Sequence, residues 1–178
     1  MERTLASVAG WLIAGFVFGS LVEYWVHRAM HSRGLFAQRH VEHHRDGWGQ
    51  GVLPELRTYL LPGAPLLAPP YLLGLPSGLG WSAGCVGFAV FAAYAHQLQH
   101  DSPSACRWMA MPVHYVHHRD QMWHHDFGMT VDWWDRVFGT YRRVPCDELR
   151  DSKARALDVG WRGPLRDEPV WRRQPRSL

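Results

Sequence analysis

Residues 5–31 read LASVAGWLIAGFVFGSLVEYWVHRAMH, an apolar run that ends directly in two histidines four positions apart. Its first part, residues 5–26, carries one formal charge, Glu23, near the far end. At about 1.5 Å rise per residue, such a helix crosses the roughly 30 Å hydrocarbon core of a bilayer. The run is long for the apolar region of a signal peptide and has no convincing cleavage site before His27, so a retained membrane helix is expected.

Two further apolar stretches follow. Thr58 to Pro76 is uncharged but contains Pro62, Pro65, Pro69 and Pro70 before its end. Prolines remove helix hydrogen bonds that lipid cannot replace, so the stretch predicts a kinked or broken span whose freed carbonyls face protein. Leu79 to Ala95 is also uncharged and is studded with Gly80, Ala83, Gly84, Gly87, Ala89, Ala92 and Ala93, small residues that let membrane helices approach closely. It runs without a break into His96. Pro76-Ser77-Gly78 reads as a tight hairpin turn, which makes the second and third spans antiparallel neighbours. The fold class expected is therefore all-α, an integral membrane helical bundle of about three spans with a cytosolic, histidine-rich helical cap.

Orientation follows from arginine. Arg28, Arg33, Arg39, Arg45 and Arg57 lie between the first two spans, and Arg107, Arg119, Arg136, Arg142 and Arg143 follow the third, whereas the opposite side has only Arg3 and an uncharged turn. The excess of positive charge predicts a multi-pass protein with its N-terminus outside and both histidine windows and the C-terminus in the cytoplasm. Tyr24, Trp25 and Trp81 fall where interfacial aromatic belts are expected. A net charge of +3 and an isoelectric point near 9.0 suit an anionic lipid surface better than nucleic acid, because the basic residues flank apolar spans.

All twelve histidines fall within residues 27–44 or 96–125. A pair spaced HxxxH (His27 and His31; His96 and His100) is followed each time by a triplet spaced HxxHH (His40, His43 and His44; His114, His117 and His118). Residues three and four apart are neighbours on a helix, so each group can aim its imidazoles at one point, as metal ligation requires. Cys85, Cys106 and Cys146 are isolated and form no zinc-finger pair. No HExxH helix occurs, and the inward Glu-x-x-His pairs of ferritin-like dimetal sites are missing. Magnesium and calcium prefer oxygen ligands. Structural zinc uses four ligands and would leave most of these histidines unexplained. Two iron ions use the surplus, with zinc as an alternative occupant on isolation, and a dimetal pair can activate dioxygen as a co-substrate.

The segments EYWVHRAMH (23–31), RHVEHH (39–44), HQLQH (96–100) and HYVHHRDQMWHHDFGMTVDWWDRVFGTY (114–141) resemble the fatty acid hydroxylase superfamily, also called the sterol desaturase family, of membrane non-haem diiron oxygenases. The resemblance runs from Glu23 to Tyr141, and the tail DFGMTVDWWDRVFGTY is its most specific element. It implies that His27, His31, His40, His43, His44, His96, His100, His114, His117 and His118 are metal ligands, with His124, His125 and Asp126 in a supporting or substrate-facing position. It implies hydroxylation at a C–H bond of a lipid or its acyl group. Desaturation, aldehyde decarbonylation and carotenoid ring hydroxylation are alternatives of the same chemistry. The first histidine pair has one intervening residue fewer than in many members. Three spans rather than four leave half a hairpin, from which packing against a second copy or another membrane subunit is expected.

Ligating histidines donate their second ring N–H to a carboxylate or carbonyl, for which Glu23, Glu42, Asp101, Asp120, Asp126 and Asp132 are candidates. Trp133-Trp134-Asp135 is expected to pack the cap onto the membrane helices, and Gly128 and Gly139 read as turn residues. Residues 1–144 form the unit bearing the site. Residues 145–178 read as a polar, loosely ordered cytosolic tail that touches the membrane through Trp161 and Trp171. No nucleotide fingerprint or haem module is present in the sequence, so a separate ferredoxin-like or cytochrome-like protein is expected to supply electrons. A membrane metal-binding or transport protein is the competing class. Such a protein places its ionisable groups near the bilayer midplane, whereas these histidines stand at the ends of the spans.

Overall fold

The computed structural model describes residues 2–32, 37–149, 155–165 and 169–170, and these are helical or irregular with no strand. Arg33 and Trp171 lie outside the described residues, as does the side chain of Arg3. Helix α1 spans Glu2–Met30 and helix α4 spans Leu75–Asp101; both are long and apolar enough to cross a membrane. They pack side by side and in the same direction. A methyl group at Gly80 would meet the Val8 carbonyl and one at Gly84 the Leu12 carbonyl, so the two backbones touch where only glycine fits. Further along, Phe16 and Phe88 meet edge to face with centroids 5.2 Å apart. This parallel pairing brings the C-terminal ends of both helices, and with them both HxxxH pairs, to one level.

Among the described residues two helices have membrane length, where the sequence predicted about three spans. The proline-rich stretch accounts for the difference. It forms α3, Val52–Gly63, then two 3-10 turns, Ala64–Leu67 and Pro69–Leu73. The 12 residues of α3 rise only about 18 Å. Pro70 offers no N–H to the carbonyl of Leu66, and the Trp81 indole N–H takes that carbonyl at 2.9 Å. The predicted hairpin at Pro76-Ser77-Gly78 is displaced. Those residues form the first turn of α4, and the chain reverses at Gly74, whose φ of 118° is open to glycine. The antiparallel return of this segment along α4 stands, with Ser82 donating to the Tyr71 hydroxyl at 3.3 Å.

The short helices α2 (Ala37–Asp46), α5 (Val113–Arg119) and α6 (Trp133–Val137) gather around the joined ends of α1 and α4. The two glutamines inside HQLQH tie α5 and the start of α3 to α4. Gln99 Oε1 accepts from the His114 amide at 3.0 Å, satisfying a helix-start donor of α5 that has no local side-chain cap, and its Nε2 donates to the Met129 carbonyl. Gln97 accepts from the Gly51 amide at 2.7 Å and donates to Asp101 at 2.8 Å. The Trp134 indole donates to Ser20 at 2.9 Å, fastening α6 to α1. Tyr24, predicted at an interface, is fully buried, its hydroxyl 2.9 Å from Thr140 Oγ1. Part of the predicted loose tail is docked. The amides of Val52 and Leu53 donate to the carbonyls of Gly160 and Trp161, and Asp101 accepts from the Gly160 amide at 2.8 Å.

Candidate metal centre

The helices assemble two compact groups of imidazoles. In the first, His27 and His31 from the end of α1, His40 and His44 from α2, and His117 from α5 bring one ring nitrogen each within 4.8 Å of every other. In the second, His43 from α2, His100 from α4, and His114 and His118 from α5 do the same. His96 stands at the edge of this second group, its Nε2 3.2 Å from that of His100 and its ring centroid 4.5 Å from that of His114. The two groups are cross-wired: each draws on both histidine windows.

Neighbouring Nε2 atoms in the first group are 2.7 to 3.3 Å apart along His27–His31–His40–His44, and His117 Nε2 lies 3.0 Å from His31 and 3.2 Å from His44. A metal with bonds of about 2.1 Å to cis nitrogens places those nitrogens about 3.0 Å apart. The Nδ1 atoms of His27 and His117 point at the carbonyls of Phe127 (2.6 Å) and His125 (2.8 Å), and His100 Nδ1 at that of Gly47 (3.2 Å). A carbonyl only accepts, so these three Nδ1 atoms carry the protons and the Nε2 atoms of His27, His117 and His100 turn their lone pairs toward the neighbouring rings, as ligation requires. Among the described residues His43 Nε2 is buried with no hydrogen-bond partner, so it too is placed to hold a cation.

Electrostatics agree. Burial, reinforced by repulsion from neighbouring rings, lowers the pKa of His31 and of His43 to about 4, that of His117 to about 3 and that of His40 to about 2. His44, His114 and His118 are lowered by the same causes. These rings are neutral at physiological pH, the state that ligates metals.

The acids proposed from sequence mostly do other work. Glu23 is buried and accepts from the Thr130 amide and hydroxyl. Asp101 holds residues 160 and 165. Asp126, at φ 57°, accepts from the Arg142 amide, and burial raises its pKa to about 7. Asp120 and Asp132 pair with Arg119 and Arg136, while Glu42 is exposed. His124 is exposed, and His125 serves through its carbonyl rather than as a ring in either group. A carboxylate that the sequence did not single out, Glu55 of α3, stands 3.0 Å from Nδ1 of the candidate ligand His96. Its only signal in the sequence is a lone acid at the start of an apolar helix. Asp135 does more than pack the cap. It is wholly buried, and its carboxylate accepts from the amides of Phe127 (2.8 Å) and Gly128 (2.7 Å) and from the Thr140 hydroxyl (2.7 Å).

The family profile described as fatty acid hydroxylase matches residues 12–140, a range that encloses both histidine groups. The chain belongs to the fatty acid hydroxylase family. This family member is 28% identical over 159 residues to the Delta(7)-sterol 5(6)-desaturase erg3B of Aspergillus fumigatus, covering 78% of this chain and 41% of that protein. It is 24% identical over 169 residues to the Delta(7)-sterol 5(6)-desaturase of Leptosphaeria maculans, covering 81% of this chain and 40% of that one. The chain thus spans about two fifths of the length of these curated relatives. No solved structure matches it.

Proposed function

We propose that this fatty acid hydroxylase family member is a membrane oxidoreductase that hydroxylates a C–H bond of a lipid or its acyl group with dioxygen, using two iron ions held by the two histidine groups. The observation that carries the reading is the spacing of the Nε2 atoms in the first group, 2.7 to 3.3 Å with those of His27 and His117 presenting lone pairs, beside a second group of the same make. When bound, the iron pair supplies the oxidising power. His27, His31, His40, His44 and His117 would hold one ion; His43, His96, His100, His114 and His118 would hold the other.

The protein's own part is positional. The carbonyls of Phe127, His125 and Gly47 fix ring tautomers, and the closely packed α1 and α4 set both HxxxH pairs at one level. Placing the site at the ends of the apolar helices fits a substrate that enters from the bilayer. Two apolar helices and the family support membrane association; the cytoplasmic placement of the cap rests on the arginine asymmetry. Electrons would come from a separate ferredoxin-like or cytochrome-like protein.

Desaturation is the second reading, favoured by the names of the two sterol desaturase relatives. Mass analysis of lipids from cells with and without the gene separates the two. A new species heavier by 16 Da supports hydroxylation, one lighter by 2 Da transfers the assignment to desaturation, and an unchanged lipid profile in cells that express the protein refutes both.

A further inference from the structure

Glu55 is a buried carboxylate, 7% exposed, in the first turn of a helix that otherwise packs against apolar residues. Burying an ion is costly unless it is paired, so its surroundings need a reason. Three contacts hold it in place. The Gly51 amide is tied to Gln97, the residue after His96; the Glu55 amide donates to the Gly51 carbonyl at 3.0 Å; and Gln50 Nε2 donates to Glu55 Oε2. The remaining oxygen, Oε1, stands 3.0 Å from His96 Nδ1, a short carboxylate–imidazole contact that is not fully in line with the ring N–H. His96 Nε2 then faces the second histidine group, 3.2 Å from His100 Nε2.

The Nδ1 partners identified in the first group are neutral: the carbonyls of Phe127 and His125 serve His27 and His117. The second group has a carbonyl partner at His100 and a carboxylate at His96. A carboxylate behind a ligating imidazole makes the ring a stronger donor and adds negative charge beside the cation. Resting on the two-metal reading above, we propose that Glu55 is a positioning residue that makes the two metal positions unequal, so that the second group, through His96, holds its ion more tightly than the first.

The test is stepwise titration of the full-length, detergent-purified protein with Co(II) against a competing chelator, reading stoichiometry, two dissociation constants and the visible absorption of the bound ion. Wild type is expected to bind two Co(II) with unequal affinity. Glu55→Gln, which keeps the shape and removes the charge, is expected to weaken the tighter step about 10–100-fold and leave the other unchanged. In a His40→Ala background, which damages the first group, the surviving tight site should keep wild-type affinity and lose it on adding Glu55→Gln. Glu55→Asp should recover part of the affinity. Two Co(II) bound by Glu55→Gln with both constants unchanged, or both steps weakened alike, would overturn the inference while leaving the two-metal reading intact. A wild-type protein that binds no Co(II) stoichiometrically would sink the two-metal reading itself.

Discussion

The Phe127 carbonyl oxygen lies 2.6 Å from His27 Nδ1, joining two residues one hundred positions apart. His27 lies in the last turn of α1, whereas Phe127 sits in an irregular loop, so the orientation of this candidate ligand ring depends on how that loop is pinned. Asp135 pins it, by accepting the amides of Phe127 and Gly128 with one carboxylate.

Asp135→Asn keeps the size but loses an acceptor and the charge. Hydrogen bonds to a charged group are worth roughly 1.5–3 kcal/mol, so the variant should lose about 2 kcal/mol of stability. Thermal unfolding in detergent should show a lower midpoint, and metal analysis should show loss from the first group. An unchanged midpoint with full metal content would remove Asp135 from this role.

His43→Ala and His117→Ala strike different groups. On the proposed two-metal reading, each should lower bound metal from two ions toward one and abolish lipid oxidation, with membrane association unchanged because both positions lie outside the two long apolar helices. His124→Ala, at an exposed ring, should keep both ions. Loss of metal from His124→Ala would show that the ligand boundary is drawn in the wrong place.

Gly84→Leu should separate the two long helices, because even a methyl group there meets the Leu12 carbonyl of α1. Overpacking of this kind costs about 1–3 kcal/mol. The separation would also move His27 and His31 relative to His96 and His100, so metal affinity should fall along with the unfolding midpoint. A midpoint equal to wild type would contradict the close approach.

Acid should destabilise the metal-free protein. His31 and His43 titrate near 4 in the folded state and His117 near 3, all below the usual 6.5 of a free ring. Unfolding therefore takes up protons in this range, and the stability present above about pH 6.5 is lost as pH falls through the folded values. The unfolding midpoint, followed by tryptophan fluorescence in detergent, should be flat above pH 7 and fall steadily between 6.5 and 4. A midpoint that rises on acidification would refute this.

Much of the clustering of the histidines was legible because its signals are local. His27 and His31, and His96 and His100, share helix faces by spacing alone, and the run from 5 to 26 announces α1 by hydropathy. What hydropathy could not show was that residues 58–76 form no continuous helix of membrane length. It registers the apolar side chains of residues 58–76 but not the hydrogen bonds their prolines remove, and it misplaced the reversal by a few residues because Pro76 suits a helix start as well as a turn. Glu55, Gln97, Gln99 and Asp135 escaped for another reason. Their partners lie on other elements or, for Asp135, in a loop amide pair, and no periodicity in the sequence encodes that.

The cross-wiring of the two groups bears on biogenesis. His117 must join His44, which lies 73 residues earlier, before the first group is complete, and the second group has only His43 until α4 and α5 exist. A nascent polypeptide therefore cannot finish either group from its first histidine window. On the two-metal reading, full metal retention would report that translation has passed residue 118 and that α1 and α4 have paired.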